Sequence, residues 1–337
     1  MTQQREKRRN KTWSLLGDLR RVPSEYEVVT HKMNYTVGMK PAPFEMDPNF
    51  KLNRWYLKYR EGSPLQIEDW EQFREPDQWP YRRYTQQQNE RETYLDGLVD
   101  RFEAKEFDAG LVRGWVEFLE KTYIPARFPM HALQMAALYL GQMAPSAYIT
   151  NPATFQAADE MRRIQRLAYR AKSLSLSHYP ELASSEKTCA LWEQAPHWQP
   201  LRELLEKVLA TYDWGETFAA LNLVAKPLFD EVLNTRYAEL ARQNGDELMA
   251  LMLDDFDLDV QRSRRWSAAL VKYAVEHNPA HRELLSGWVK KWMKLGDPAV
   301  KALSRSFAEA PIPLEPEQVS AAVLSNHYSF LKSCELV

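Results

Sequence analysis

The sequence predicts an all-α protein built round long central helices, and three observations predict it. Glycine is scarce, 11 among 337 residues against an average usage of ~7%, which favours helix over sheet and loop. From residue 85 onward apolar side chains recur at steps of three and four. No segment alternates apolar and polar residues in the manner of a strand.

Residues 1–85 differ from the rest. Prolines at 23, 41, 43, 48, 64, 76 and 80 prevent long helices. The same segment carries Trp13, Tyr26, Tyr35, Phe44, Phe50, Trp55, Tyr56, Tyr59, Trp70 and Trp79, far too many aromatics for a disordered chain. An extended arm is expected, lying either on the chain's own helical body or on a partner subunit. Residues 86–310 read as the helical domain and 311–337 as a C-terminal helix and tail.

Within the helical part, "NERETYLDGLVDRFEAKEF" and "AGLVRGWVEFLEKTY" have amphipathic spacing. "MHALQMAALYLGQMA" is apolar nearly all round and predicts a central buried helix. "TNPATFQ" looks like a helix start, with Thr150 or Asn151 capping and Pro152 in the first turn. Further helices are expected over 186–193, 198–211, 214–243, 246–276, 280–294, 297–309 and 316–332. Trp214, Met130, Met135, Met143 and Trp266 read as core residues.

Composition narrows the function. A net charge of −2 and a pI near 6.4 argue against a dedicated nucleic-acid binder. The basic start "REKRRNK" is short, lacks apolar periodicity and reads as a solvated tail. No run approaches the ~20 apolar residues of a membrane span, and no apolar core of a signal peptide follows the basic start. Two cysteines, Cys189 and Cys334, without metal-ligand spacing suggest a reducing cytoplasm.

Phosphate-binding glycine loops, G-x-S-x-G elbows and H-E-x-x-H motifs are absent. His277 and His281 are four apart, but Asn278 and Pro279 between them mark a helix boundary and a loop or capping role rather than a metal pair. More informative is "TFQAADEMRRIQRLAYR". On a helical wheel Ala157, Met161, Ile164, Leu167, Ala168, Ala171 and Leu174 form an apolar arc, with Arg162, Arg166 and Arg170 opposite. Glu160 falls inside that arc and Arg163 at its edge. A buried carboxylate needs a counter-charge, and Arg163 is the local candidate. The pair is expected either as an exposed i, i+3 contact or as part of a buried network with Asp259 and Arg262. A second helix carries Met249, Met252, Phe256, Trp266, Leu270 and Ala274 on its apolar arc, with Ser263 at the centre and Asp259 beside it. Asp259-Val260-Gln261-Arg262-Ser263 aligns with Asp159-Glu160-Met161-Arg162-Arg163: both are Asp-x-x-Arg-x.

These two pentapeptides resemble the paired Asp-Glu-x-Arg-His motifs of the carboxylate-bridged di-iron monooxygenases, in which Glu and His bind iron and Asp and Arg support them. Here both Asp and both Arg are kept. Glu160 stands at the first Glu, Arg163 replaces the first His, and Val260 and Ser263 replace the second Glu and His. The remaining ligands should be carboxylates on two other helices, yet 121–158 and 217–229 contain no Asp or Glu. A guanidinium has no lone pair to offer a metal. At least five of six ligands are missing, so no metal site is expected at the degenerate positions Glu160, Arg163, Val260 and Ser263.

The chain is similar to the metal-free β subunit of the hydroxylase in bacterial multicomponent monooxygenases, most of all the toluene and alkene branch, over nearly its whole length. The likeness rests on "KTWSLLGDLRRVPSEYEVV", "SPLQIEDWEQFREPDQWPYRRY", "PARFPMHALQM", "YDWGETFAALNLVAKP" and "RRWSAALVK", while "RQNGDELMAL" before the second pentapeptide resembles the catalytic subunit there. The resemblance implies a ferritin-like, ribonucleotide-reductase-like helix bundle in an (αβγ)2 hydroxylase. It implies a di-iron centre on a catalytic α subunit, a small γ subunit and a second αβγ protomer. It also implies an effector protein, a Rieske ferredoxin and an NADH reductase supplying electrons for aromatic hydroxylation or alkene epoxidation. It makes Trp13, Tyr26, Tyr35, Trp55, Tyr56, Tyr59 and Trp79 candidate subunit-interface anchors. No catalytic or cofactor-binding residue is expected on this chain. A stand-alone ferritin-like oxidase and a helical scaffold unrelated to redox chemistry are the alternatives.

Overall fold

The computed structural model describes residues 21–31 and 49–337, and among these there are helices and connecting turns but no strand. The described residues of the proline-rich segment form short helices: α1 (Glu25–Thr30), started by a Ser24 capping box, and α2 (Lys51–Tyr56), which runs on into one π-helical turn, Leu57–Glu61. Pro80 then precedes α3 (Tyr81–Glu103). α4 (Arg113–Thr122) leads to α5 (Arg127–Met143) and α6 (Ala147–Ser177), which pack antiparallel through a three-residue turn. α7 (Ser185–Gln194) and α8 (Gln199–Leu209) follow.

α9 is a long interrupted helix: Trp214–Phe218, a π-helical stretch Ala219–Ala225, Lys226–Asp230, a second π-helical stretch Glu231–Arg236, and Tyr237–Gln243. α10 (Glu247–His277), α11 (Ala280–Ser306) and α12 (Pro316–Ser333) complete the chain. α9 is buried almost throughout and is the axis of the core, flanked by α6, α10 and α11.

Several boundaries differ from expectation, each for a local reason. α6 begins at Ala147, not near Thr150, because Ser146 in an extended conformation caps it by accepting from Tyr148 N. Pro152 therefore lies inside the helix, and Thr150 Oγ1 instead donates to Gly141 O of α5 at 2.8 Å. The break expected at 295–296 is absent: α11 continues through Pro298. Pro298 removes one i→i−4 bond, but Ala299, Val300 and Leu303 bury beyond it. Gly296 permits close approach to α9, since a Cβ there would meet Leu228 Cδ1 at 2.7 Å. His277 ends α10, and His281 Nδ1 lies 3.1 Å from Ala274 O, the capping role expected at this boundary.

The core contains Trp214, Met130, Met143 and Trp266 as expected, but Met135 does not belong to it: it is 40% exposed. α5 is not buried all round. His131, Met135, Leu138 and Gln142 form an outward row, because the bundle covers this hairpin on its inner side.

Candidate functional site

The two pentapeptides face each other from α6 and α10, and their inward positions are all filled. Glu160 is fully buried. One carboxylate oxygen accepts from Arg163 Nη1 at 3.1 Å and the other from Lys226 Nζ on α9. Arg163 Nη1 also donates to Asp230 Oδ1 at 2.7 Å and Nη2 to Asn234 Oδ1 at 2.8 Å, while Lys226 Nζ pairs with Asp230 Oδ2 at 2.9 Å. Two cations and two anions thus close a neutral ring inside the core. Burial alone would raise the Asp230 carboxyl, but the adjacent Lys226 and Arg163 hold it below its ordinary value. Burial would lower the Lys226 ammonium, yet Asp230 and Glu160 keep it raised.

The second pentapeptide's counterpart is uncharged. Val260 packs in the core, and Ser263 Oγ donates to Gln156 Oε1 at 2.7 Å. Asn222 Nδ2 on α9 reaches the same Gln156 oxygen and Ser267 Oγ, each at 2.9 Å.

Asn222, Lys226, Asp230 and Asn234 stand at four-residue steps. In an unbroken α-helix such a row drifts round the surface, because 3.6 residues make a turn. The wider π-helical turns on either side of Lys226–Asp230 compensate and point the row at α6. Sequence reasoning found the acid-free run 217–229 but missed these residues. The signal was available as polar residues at every fourth position of a segment whose one other polar residue is Glu231.

The Asp and Arg of the two pentapeptides make a separate, reciprocal arrangement. Arg262 Nη2 donates to Asp159 Oδ2, and Arg162 Nη1 to Asp259 Oδ2 at 3.1 Å, so each copy's arginine serves the other copy's aspartate. α3 closes over them. Tyr84 OH and Gln88 Nε2 donate to Asp159 Oδ1 at 3.0 and 3.1 Å, Gln88 also reaches Asp259 Oδ1 at 3.0 Å, and Arg91 pairs with Asp259 and Asp255. Burial, followed by the neighbouring Asp259, pushes the Asp159 carboxyl up to about 6 despite Arg262. Burial acts on Asp259 too, but Arg91 and Arg262 outweigh it and hold its carboxyl below the ordinary value.

Of the two expectations for Glu160 and Arg163, the buried network is the one found, with different members. Asp259 and Arg262 belong to the second cluster, and Lys226, Asp230 and Asn234 take their place. Arg162, Arg166 and Arg170, placed opposite the apolar arc, are nevertheless buried, at 6, 8 and 3% exposed. Glu92 and Asp96 of α3 meet Arg166, and Asp108 and Asp246 meet Arg170, which explains their burial. Met161, placed in the apolar arc, is instead 39% exposed, as is Ala168 in part.

Among the candidate interface aromatics, Trp13 and Tyr35 lie outside the described residues. The other five touch the chain's own body. Tyr26 is buried against Tyr148. Trp55 Nε1 donates to Tyr139 OH at 2.9 Å, and Trp55 and Tyr59 pack with Tyr212. Arg60 stacks over Tyr56, and Arg262 over Trp79.

This residue set does not fit a di-iron centre. The surviving carboxylate is engaged by two cations, a guanidinium stands where an imidazole is needed, and Val260 and Ser263 offer no anionic ligand. Among the described residues no group of three or more His, Cys, Asp or Glu is arranged to hold a metal. The fold and this disarmed pair of half-sites define a helical member of the di-iron hydroxylase class.

The chain belongs to the methane/phenol/alkene hydroxylase family, whose profile matches residues 55–278. It is the counterpart of that family's β subunits. It is 40% identical over 305 residues to the toluene-4-monooxygenase system hydroxylase component subunit beta of Ectopseudomonas mendocina, covering 90% of this chain and 93% of that one. The propane 2-monooxygenase hydroxylase component small subunit of Gordonia sp. (strain TY-5) is 26% identical, over 69% of this chain and 64% of its own. A chain of the toluene 4-monooxygenase structure with toluene bound in the resting active site superposes with a TM-score of 0.82 at 40% identity, over 90% of this chain and 99% of that one.

Proposed function

We propose that this chain is the non-catalytic, structural β subunit of an (αβγ)2 di-iron hydroxylase. In that complex a catalytic α subunit carries the irons, a small γ subunit completes the protomer, and a second protomer completes the dimer. An effector protein, a Rieske ferredoxin and an NADH reductase serve it, and the assembly oxidises aromatic rings or alkenes in the cytoplasm. The observation that carries the reading is the neutral ring of Glu160, Arg163, Lys226 and Asp230. It occupies the inward face of α6 with internal counter-charges where the catalytic relatives' motif has metal ligands. No helix among the described residues is long and apolar enough to cross a membrane. The residue roles follow the same reading: Glu160, Arg163, Val260 and Ser263 are packing residues, 1–85 is an arm for subunit contacts, 86–310 the helical domain and 311–337 its C-terminal extension.

The test is co-expression of the chain with the neighbouring hydroxylase genes of its host. The expected result is a co-purifying complex that contains iron and consumes NADH and O2 on toluene or an isoprene-like alkene once its electron-transfer partners are added. The chain alone should hold no iron and show no turnover. Stoichiometric iron on the isolated chain, retained in Glu160→Ala with altered spectra, would instead favour a stand-alone oxidase.

A further inference from the structure

We propose that the C-terminal helix α12 is a register lock on α9: it holds the buried helix in its wide-turned form and so keeps Lys226, Asp230 and Asn234 facing α6. The row reaches α6 because π-helical stretches, Ala219–Ala225 and Glu231–Arg236, flank Lys226–Asp230. Such turns are rare in a helix left to itself, so contacts from outside α9 must favour them. Part of the reason is local. In a regular α-helix the Leu223 carbonyl accepts from the amide of residue 227, and Pro227 has no N–H to give. A buried carbonyl without a donor is costly.

α12 supplies the donor. Val319, Val323, Phe330 and Leu331 seat this helix in the core, and His327 is the buried polar residue of the same face. Its Nε2 lies 2.7 Å from Leu223 O. A carbonyl only accepts, so this ring nitrogen carries the proton. The imidazole thus stands in for the amide that proline lacks. Among the described residues it is the one side chain that hydrogen-bonds the backbone of Ala219–Ala225.

The adjoining residue grips the other wide stretch. Asn326 Nδ2 donates to Glu231 Oε1 at 2.7 Å, and Arg236 of α9 and Arg264 of α10 converge on the same buried carboxylate. Neighbouring residues of α12 therefore reach both π-helical stretches, on either side of Lys226. Closing one wide turn would shift everything beyond it by one residue, about 100° round the helix. Lys226 would then swing away from Glu160, and the neutral ring would open. Through Leu223 the last helix of the chain positions charges that it does not touch.

Hydrogen exchange read by mass spectrometry, in the full chain purified with its partners, tests the lock. His327→Leu removes the donor and His327→Gln keeps an N–H. In His327→Leu the amides of 219–236 should exchange roughly tenfold or more faster than in the wild type. The loss should spread to 156–163 of α6, where Glu160 loses Lys226, while α4 exchanges as before. His327→Gln should stay close to the wild type. Pro227→Ala restores the missing amide, so the double variant Pro227→Ala/His327→Leu should regain protection over 219–230.

Wild-type exchange over 219–236 in His327→Leu overturns the proposal. So does an equal loss with and without Pro227→Ala, because His327 would not then be replacing the proline's amide. A loss that never reaches 156–163 also overturns it, since α12 would be packing on α9 without setting its register. Should His327→Leu fail to fold, recovery of folding by Pro227→Ala supports the lock and continued failure refutes it.

Discussion

Helix α6 carries an arginine face and a face of small and apolar residues, and the bundle buries the first and leaves the second open. The face bearing Arg162, Arg166 and Arg170 is buried beneath α3, whereas the face bearing Ala158, Met161 and Ala168 is open to solvent. The difference teaches that burial in this fold follows charge compensation. Each arginine finds one or more carboxylates on another element, from Glu92 and Asp96 on α3 to Asp246 at the start of α10. Among the described residues no element covers Met161, which is 39% exposed. Buried ion pairs are costly to assemble and still costlier to break. The arginine face is therefore an internal joint, and the other face is left open by the described residues.

The largest effect expected from breaking this comparison is inside the core. Glu160→Ala leaves Lys226 and Arg163 with one carboxylate, Asp230, between them. It should destabilise by about 3–5 kcal/mol, the usual cost of stranding a buried charge, read as a drop in melting temperature of the complex. Lys226→Met should act comparably, and combining it with Glu160→Gln should recover part of the loss, because both members of one pair are then neutral.

The joint between α3, α6 and α10 should titrate. Asp159 has its folded pKa raised from 3.8 to about 6. A raised carboxyl binds its proton more tightly in the folded state, so its contribution is present at low pH and is lost as pH rises from about 4 to about 6, with no further change above. The amplitude is about 1–3 kcal/mol. Asp259, held below its ordinary value, contributes in the other sense, losing stability as pH falls below about 4. Chemical denaturation across pH 3–8 should show the falling limb in the wild type and not in Asp159→Asn.

Arg166→Ala should cost less than Glu160→Ala. Its carboxylate partners Glu92 and Asp96 have side chains 35 and 65% exposed and re-solvate when the guanidinium is removed, leaving a loss of about 1 kcal/mol. Smallest of all, Met161→Gln should leave the isolated chain within about 0.5 kcal/mol of wild type. A loss as large as that of Glu160→Ala would mean that the bare face is packed by the chain itself, and the contrast between the two faces would fail.

Much of the site was legible without coordinates. Arg163, Val260 and Ser263 announce by residue type that they are no metal ligands, and acid-free 121–158 and 217–229 remove the other carboxylates. The companion residues were not legible. Lys226 is 66 positions from Glu160, and nothing near either one says that they meet. The two Asp-x-x-Arg-x copies could be aligned on paper, but their cross-pairing, Arg262 with Asp159 and Arg162 with Asp259, needs α6 and α10 side by side.

The sequence by itself determined the all-helical class and the chemistry its inward positions cannot perform. These depend on spacing and residue type alone. Only the tertiary structure decided which side of α6 is wet, that α11 runs through Pro298, and that Met135 lies outside the core. A helical wheel weighs each side chain by its own hydropathy, whereas burial of a charge depends on a counter-charge delivered from a distant segment. Exposure of a methionine depends likewise on which neighbour is present to cover it.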